Sequence, residues 1–537
     1  MAEPVKPEAG RGDRGRGLVR STGLISGLIF LSRLLGLVRE QVFATLLGAG
    51  LYADAFQAAF RIPNLLRDLF AEGALSAAFI PTYARALAQG GPERANHLAN
   101  RLMTLLAVVM TVLVLVGLVF AEPLVSTLAP GFERVPGKME VTVRLTRAML
   151  PFLPLVSFAA VAMGMLNAHE RYGTPAFAPA VFNLVTILWA AVLWALGFSP
   201  AQVAMGWALG TLLGGAAQFG IQIPGLVNAG WRPRLEWKPS DPDLRAILSL
   251  MAPATVGLAA VQVNIFVGTR FASQEAGAVS WLQYAFRLLY LPIGIFGVAV
   301  GTVATTGLAR RAAAGDMEGV RDTVRRALRL LCYLTLPATA GLITLAVPVV
   351  RLLFERGRFH AGDTQGTAAA LTFYSWGLVA YTGVKVLAPA FYALGRPRVP
   401  LLASASAVLT NLVVIIGLHG RLGFRAIALG TALGSIVNAA VLIAAFESRV
   451  GGLVRELFSS VLARMVVAAG VMAAAAWYAV HALEGWFGTQ GLRAQLATGL
   501  IPVAFGGLVY LALTGLLRVP EAGQLLGLLR ASPRLKG

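Results

Sequence analysis

Apolar runs of about 20 residues or more, separated by short polar stretches, fill the chain from Gly23 to Leu517. A helix rises 1.5 Å per residue, so crossing roughly 30 Å of hydrocarbon takes about 20 mostly apolar residues. On that measure the pattern predicts helices near 22–47, 54–86, 100–128, 143–168, 175–197, 200–227 and 244–272. Seven more follow near 277–309, 324–354, 366–393, 399–418, 424–446, 458–482 and 495–517. The expected fold class is an all-α polytopic membrane protein with 14 transmembrane helices. Pro63, Gly73, Pro151, Pro154, Pro292 and Pro389 fall inside these runs and predict kinks or breaks. Membrane helices tolerate such breaks where neighbouring groups satisfy the freed backbone.

Composition agrees with this pattern. The chain is 57% hydrophobic and 13% charged, with a mean hydropathy of +0.72. Soluble domains are about 45–50% apolar and about 25% charged. A net charge of +20 would suggest nucleic acid in a soluble protein. Here most Lys and Arg lie in the connections, where membrane proteins concentrate them on the cytoplasmic side, and a nucleic-acid partner is excluded. Placing the N-terminus inside gives the inner segments roughly three times the Lys and Arg of the outer ones, so both termini are expected in the cytoplasm. The outer loop 129–147, with Arg134, Lys138, Arg144 and Arg147, runs against that trend. Residues 1–20 read as a disordered basic tail and 519–537 as a cytoplasmic C-terminal tail. One cysteine, Cys332, and five scattered histidines rule out a disulfide framework or a Cys-based metal site.

The two halves of the chain echo each other. AFRIPNLLRDLF, with Arg61, answers AFRLLYLPIGIF, with Arg287, 226 positions later, and Pro123 answers Pro348 after 225. Two six-helix lobes are expected, at 21–228 and 243–448, with a two-helix extension at 456–518. Transporters are commonly built from such repeats, with the substrate site near mid-membrane.

Charge inside the apolar runs carries the chemistry. The stretch SRLLGLVRE places Arg33, Arg39 and Glu40 within the first helix. FRIPNLLRD in the second repeats the pattern with Arg61, Arg67 and Asp68, and Arg270, Arg287 and Lys385 lie in later helices. A cation at a helix centre costs roughly 2.5–3.5 kcal/mol on insertion scales, although one near an end can snorkel. Glu40 and Asp68 follow Arg33 and Arg61 by seven positions and so share nearly the same face, while Asp54 and Glu72 add carboxylates to the second helix. Two readings stand: ion pairs that hold the first helices together, or a cationic site for a phosphate or diphosphate, whose oxygens a guanidinium fork binds bidentately.

Other chemistry finds no support. Gly137-Lys138 is followed by Met139, so no phosphate-binding loop of the G-x-x-x-x-G-K-[ST] type is present, and energy must come from an ion gradient or the membrane potential. Connections near 228–243 and 310–323 are too short to fold as soluble catalytic domains. An exporter of cationic drugs would want acids where this chain has arginines. A membrane enzyme acting on polyprenyl phosphates would need a paired-carboxylate metal site or a nucleophile with its base.

SRLLGLVRE, DAFQAAFRIPNLLRDLFAEGALSAAFIP (54–81) and VKVLAPAFYALGRPRVP (384–400), in this helix layout, resemble the MurJ/MviN family of lipid II flippases. That family belongs to the multidrug/oligosaccharidyl-lipid/polysaccharide exporter superfamily, and the resemblance covers about residues 20–517. It implies a V-shaped pair of six-helix lobes around a cationic cavity, with a groove at the last two helices for a polyprenyl tail. It implies a transporter rather than an enzyme, in a bacterial cytoplasmic membrane, with lipid II and membrane lipids as partners and other cell-wall synthesis proteins as further ones. Arg33, Arg39 and Arg287 match the family's essential arginines; Arg67, Asp54 and Glu72 match its other charged positions. Arg61 is expected beside them at the substrate, and Glu40, Asp68 and Arg270 as gate or ion-pair residues. No cofactor is expected. Some members are thought to bind sodium with carboxylates in the second lobe, but residues 246–274 and 397–446 hold no Asp or Glu, leaving Asn264, Asn411 or Thr431, which argues against sodium coupling. A flippase for another polyprenyl-diphosphate-linked oligosaccharide, or a small-molecule exporter of the multidrug and toxin extrusion type, is the alternative.

Overall fold

A computed structural model describes residues 11–68, 74–457 and 459–524. The described residues form helices and turns, with no strand. Nine of their helical runs are long and apolar enough to cross a membrane, and Leu378–Ala393 is a shorter apolar helix. Residues cluster into two compact units.

The first unit comprises the residues up to Leu47, Ala55–Thr127 and Val135–Ala259. It holds α1 (Arg11–Leu47), most of α2 (Leu51–Arg67), α3 (Ala74–Val119), nearly all of α4 (Ala121–Leu128), α5 (Lys138–Met149) and α6 (Phe152–Ala168). After them come α7 (Gly173–Ala195), α8 (Pro200–Gly220), α9 (Ile223–Val227) and the start of α10 (Pro242–Ala272). The run expected at 54–86 corresponds to α2 and the start of α3, and the break expected at Gly73 lies outside the described residues. α3 continues through the next predicted helix, but at Gly91 the backbone leaves helical geometry (φ 67°, ψ −173°). Only glycine takes that φ without steric cost, and Pro92 behind it has the φ a new helical turn requires. α8 starts with Ser199 and Gln202 in a reciprocal capping box, followed by Pro200 at the first helical position.

Burial follows the logic of a lipid-facing bundle. Small residues such as Ala53, Ala58 and Ala59 are fully buried where helices meet, while Leu188 and Trp194 face outward at 58% and 74% exposure. Close packing of small residues is what holds helices together when lipid tails are as apolar as leucine. One polar surface is clasped tightly. The segment after α9 lies along α3: Asn96 Nδ2 donates to Gly230 O (2.9 Å), Asn100 Nδ2 to Arg232 O (3.0 Å), and Trp231 Nε1 to Asn100 Oδ1 (3.0 Å). Glu236 adds its N–H to Thr104 Oγ1 (3.0 Å) and its carboxylate to His97 Nδ1 (2.9 Å), and Arg101 pairs with Asp241.

The second unit takes Gly48–Asp54, Leu128–Arg134 and Ala260 onward. It contains α11 (Ala278–Pro292), a π turn at Ile293–Gly297, α12 (Val298–Ala313), α13 (Met317–Thr344), α14 (Ala346–Phe354), α15 (Ala361–Ser375) and α16 (Leu378–Ala393). α17 (Arg398–Leu422), α18 (Arg425–Glu447), α19 (Leu453–Leu457), α20 (Ser460–Phe487) and α21 (Leu492–Leu516) complete it. The last two helices are fastened at three levels. Arg351 Nη1 meets Glu484 Oε1 at 2.7 Å and Arg329 Nε meets Glu521 Oε1 at 2.8 Å. Between them Tyr510 donates to Tyr333 O at 2.9 Å, while the Tyr333 hydroxyl lies 3.2 Å from Thr514 Oγ1.

Candidate functional site

The arginines of the opening motif sit on α1, whose exposed side chains include Phe30 and Leu34. Arg33 is half-buried. Two of the neighbours that hold Arg39 are Glu40 and Phe182: its Nη2 is 2.7 Å from Glu40 Oε1, and its Cζ lies 5.4 Å from the ring centroid of Phe182 on α7. Glu40 is 4% exposed, so its charge is deep enough for the pairing to count. Beside Phe182, Asn183 Nδ2 donates to Ser32 O at 3.1 Å, tying α7 to α1 in the turn before Arg33. On α2, Arg67 reaches Asp68 Oδ1 with both Nε (3.2 Å) and Nη2 (2.9 Å), and Arg61 is half-buried. The acids that periodicity set on the face of Arg33 and Arg61 thus also engage the arginine next to each in sequence. Phe182 and Asn183 were not singled out from the sequence; an aromatic-amide pair in an otherwise apolar helix is a weak signal.

Asp54 is a fully buried carboxylate, and it belongs to the compact unit that contains α11. Its Oδ2 accepts from Gly277 N–H at 2.8 Å, and its Oδ1 accepts from Ser280 N–H at 2.9 Å and from Ser280 Oγ–H at 2.7 Å. Gly277 has no side chain with which to cap α11, so Asp54 supplies the anion that the positive end of the helix favours. Tyr284 of the same helix donates to Gly48 O at 2.7 Å. The sequence carried a signal for the partner: Ser280 follows Asp54 by the 226 residues that also separate Arg61 from Arg287. Arg287 lies farther along α11 and is exposed. Arg270 is exposed in the last turn of α10, where a cation suits the helix dipole, and Lys385 is exposed on α16. Glu72 lies outside the described residues.

The neutral polar groups that the sequence offered for a sodium ion, Asn264, Asn411 and Thr431, are each engaged in a hydrogen bond. Asn411 Nδ2 donates to Asn264 Oδ1, and Thr431 Oγ1 donates to Ile427 O at 2.8 Å. An N–H already points at the Asn264 oxygen, and Asn411 Oδ1, buried without a hydrogen-bond partner, is one oxygen where hard cations gather several. Among the described residues no group of three His, Cys, Asp or Glu side chains could hold a metal.

Residues 43–496 match the family described as lipid II flippase MurJ. The chain is 34% identical to a probable lipid II flippase MurJ of Vibrio cholerae serotype O1, over 94% of this chain and 96% of that one. It is also 34% identical to the lipid II flippase MurJ of Burkholderia cenocepacia, over 89% and 92%. Its fold resembles a lipid II flippase MurJ in an inward closed conformation (TM-score 0.75, 23% identity, 92% of this chain and 98% of that chain). Its fold also resembles an inward-facing multidrug resistance MATE family transporter of the MOP superfamily (TM-score 0.67, 17% identity, 80% of this chain and 98% of that chain).

Proposed function

The chain belongs to the lipid II flippase MurJ family, and from that membership we propose that it moves lipid II, an undecaprenyl-diphosphate-linked peptidoglycan precursor, from the inner to the outer leaflet. It is a transporter, not an enzyme, in a family of bacterial inner-membrane flippases. The observation that carries the reading is the 34% identity maintained over 94% of the chain. The headgroup diphosphate is taken by Arg33, Arg39 and Arg287, with Arg61 and Arg67 raising the local positive potential, while the tail stays in lipid along α20 and α21. Guanidinium groups suit this task because their charge is permanent and their donors are arranged as a fork.

Alternating access follows from the same parts. The three bonds from Asp54 to the start of α11 act as the outer gate, and their release accompanies outward opening. Loading is from the inner leaflet, on the side where the membrane potential is negative. Each elementary charge crossing 100 mV is worth about 2.3 kcal/mol, which drives an anionic headgroup outward without a coupling ion. Proteins of cell-wall synthesis that use the exposed precursor are the expected partners. The test is rescue of a bacterium depleted of its own lipid II flippase, with lipid II exposure assayed at the outer surface. Rescue by wild type, lost in Arg33→Ala, Arg39→Ala and Arg287→Ala at normal membrane levels, is the expected result. Rescue by the arginine variants would make those charges structural, and failure of well-expressed wild type would point to another lipid-linked sugar.

A further inference from the structure

A chain of aromatic rings leaves α1 at Phe43 and returns to α1 at Arg39. Phe43 contacts Phe56 of α2 with centroids 5.1 Å apart, and Phe56 stacks on Phe60 at 6.0 Å with planes 14° apart. Phe60 meets Phe152 of α6 at 5.6 Å, Phe152 meets Phe182 of α7 at 5.9 Å, and the Arg39 guanidinium carbon lies 5.4 Å from the Phe182 centroid. Arg39 and Phe43 are four positions apart on one helix face, so the path closes on itself through four helices. Phe152 and Phe182 are 2% and 9% exposed, so packing fixes the tilt of the last ring. A cation over a ring face is attracted by the ring quadrupole, and the attraction strengthens where water is excluded.

We propose that Phe182 is the positioning residue for Arg39: its ring face sets the plane of the guanidinium, so that the fork of donors, and not the charge alone, is aimed at phosphate oxygens. The inference rests on the reading of Arg39 as a diphosphate-binding group. The guanidinium carbon lies over the ring while Glu40 takes one of its nitrogens. The circuit of rings gives an arginine in an apolar helix an aromatic partner within the helix bundle, so it need not swing toward the interface.

The test uses the full chain in lipid nanodiscs, titrated with undecaprenyl diphosphate. Phe182 is replaced by mono-, di- and trifluorophenylalanine, which drain the ring face of electron density while nearly keeping its size, and by leucine. Stepwise weakening along the fluorinated series, by roughly fivefold in total, with Phe182→Leu at the weak end, is the expected result. The same series in an Arg39→Ala background is expected to be flat. Equal affinity across the fluorinated rings would overturn the proposal, whatever the leucine variant does, because a ring that only fills space is indifferent to its quadrupole. A slope that persists without Arg39 would overturn it too. If Arg39→Ala binds undecaprenyl diphosphate as tightly as wild type, the diphosphate reading itself fails, a result separate from a flat series in the wild-type background.

Discussion

Asn183 on α7 and Asn411 on α17 stand 228 residues apart, and each donates through Nδ2 to the helix that opens its half of the sequence. In the first unit the acceptor is main chain, Ser32 O, and a Cβ on Gly36 would sit only 3.5 Å from the Asn183 amide nitrogen. In the second the acceptor is the side chain of Asn264, which stands 228 residues after Gly36. The same joint is therefore made twice with different contents. The first is flanked by Arg33 and Arg39, with an aromatic ring against Arg39, and the second by a neutral amide pair. A duplicated scaffold keeps its polar joints because a buried amide left unmet costs about 1–3 kcal/mol. Its charges are free to diverge, and at this joint the cationic share, Arg33 and Arg39, belongs to the first half.

Removing that share is expected to have the largest effect. Arg39→Ala takes away charge-assisted bonds worth about 1.5–3 kcal/mol each, so lipid II exposure at the cell surface should fall roughly 10- to 100-fold. Arg39→Lys restores charge without the fork and should recover only part of it. Full recovery would mean that charge alone matters and would erase the contrast between a shaped cationic joint and a neutral one.

Next in size is Asp54→Asn. Asp54 bonds to its own repeat equivalent, Ser280, and to Gly277 N–H. An asparagine must turn its NH2 toward one of these donors, which should cost about 2 kcal/mol. The expected outcome is a severalfold loss of flipping together with a lower unfolding temperature in detergent. A variant of unchanged stability and activity would remove Asp54 from both gate and scaffold.

These contrasts show what the sequence could and could not tell. Helix positions were legible because membrane thickness imposes run length, and the expected runs at 399–418 and 424–446 reappear as α17 and α18. The described residues contain nine helices that satisfy length and apolarity, against 14 expected. The difference arises where a run is divided into two short helices, as at Gly377 between α15 and α16, and where charges interrupt it, as in α1 and α2, whereas the run through Pro151 still counts as one. The arginines were legible because charge in hydrocarbon is expensive. Phe182 was not, since a phenylalanine in an apolar helix looks the same whether it packs against leucine or against a guanidinium. Ser280 was hidden for a similar reason, and only the 226-residue repeat, carried from Arg61 to Asp54, pointed to it.

The two asparagines themselves should separate by readout. Asn183→Leu loosens the helix that carries Arg33 and Arg39, so flipping should drop by roughly fivefold, about the worth of one buried hydrogen bond. Asn411→Leu leaves Asn264 Oδ1 without that donor, so stability should fall by about 1 kcal/mol while flipping at low temperature stays within roughly twofold. Equal losses of activity in both would mean that the neutral joint is as close to the transport step as the charged one.

The smallest expected effect concerns the ion. Replacing external and internal sodium with potassium should leave the flipping rate unchanged, because the Asn264 oxygen already accepts the Asn411 amide N–H. A neutral joint and a potential-driven anion belong together: if the headgroup's own charge couples it to the membrane potential, the second unit has no need of an ion to bias its conformations. Asn264→Asp sharpens the point. It puts a carboxylate opposite Asn411, beside an amide oxygen that has no hydrogen-bond partner, and should create a sodium-dependent rise in unfolding temperature where wild type has none. A wild-type protein already stabilised by sodium, and slowed by its removal, would show that the amide pair opens to admit the ion, and the division of labour between the two joints would then be of degree rather than of kind.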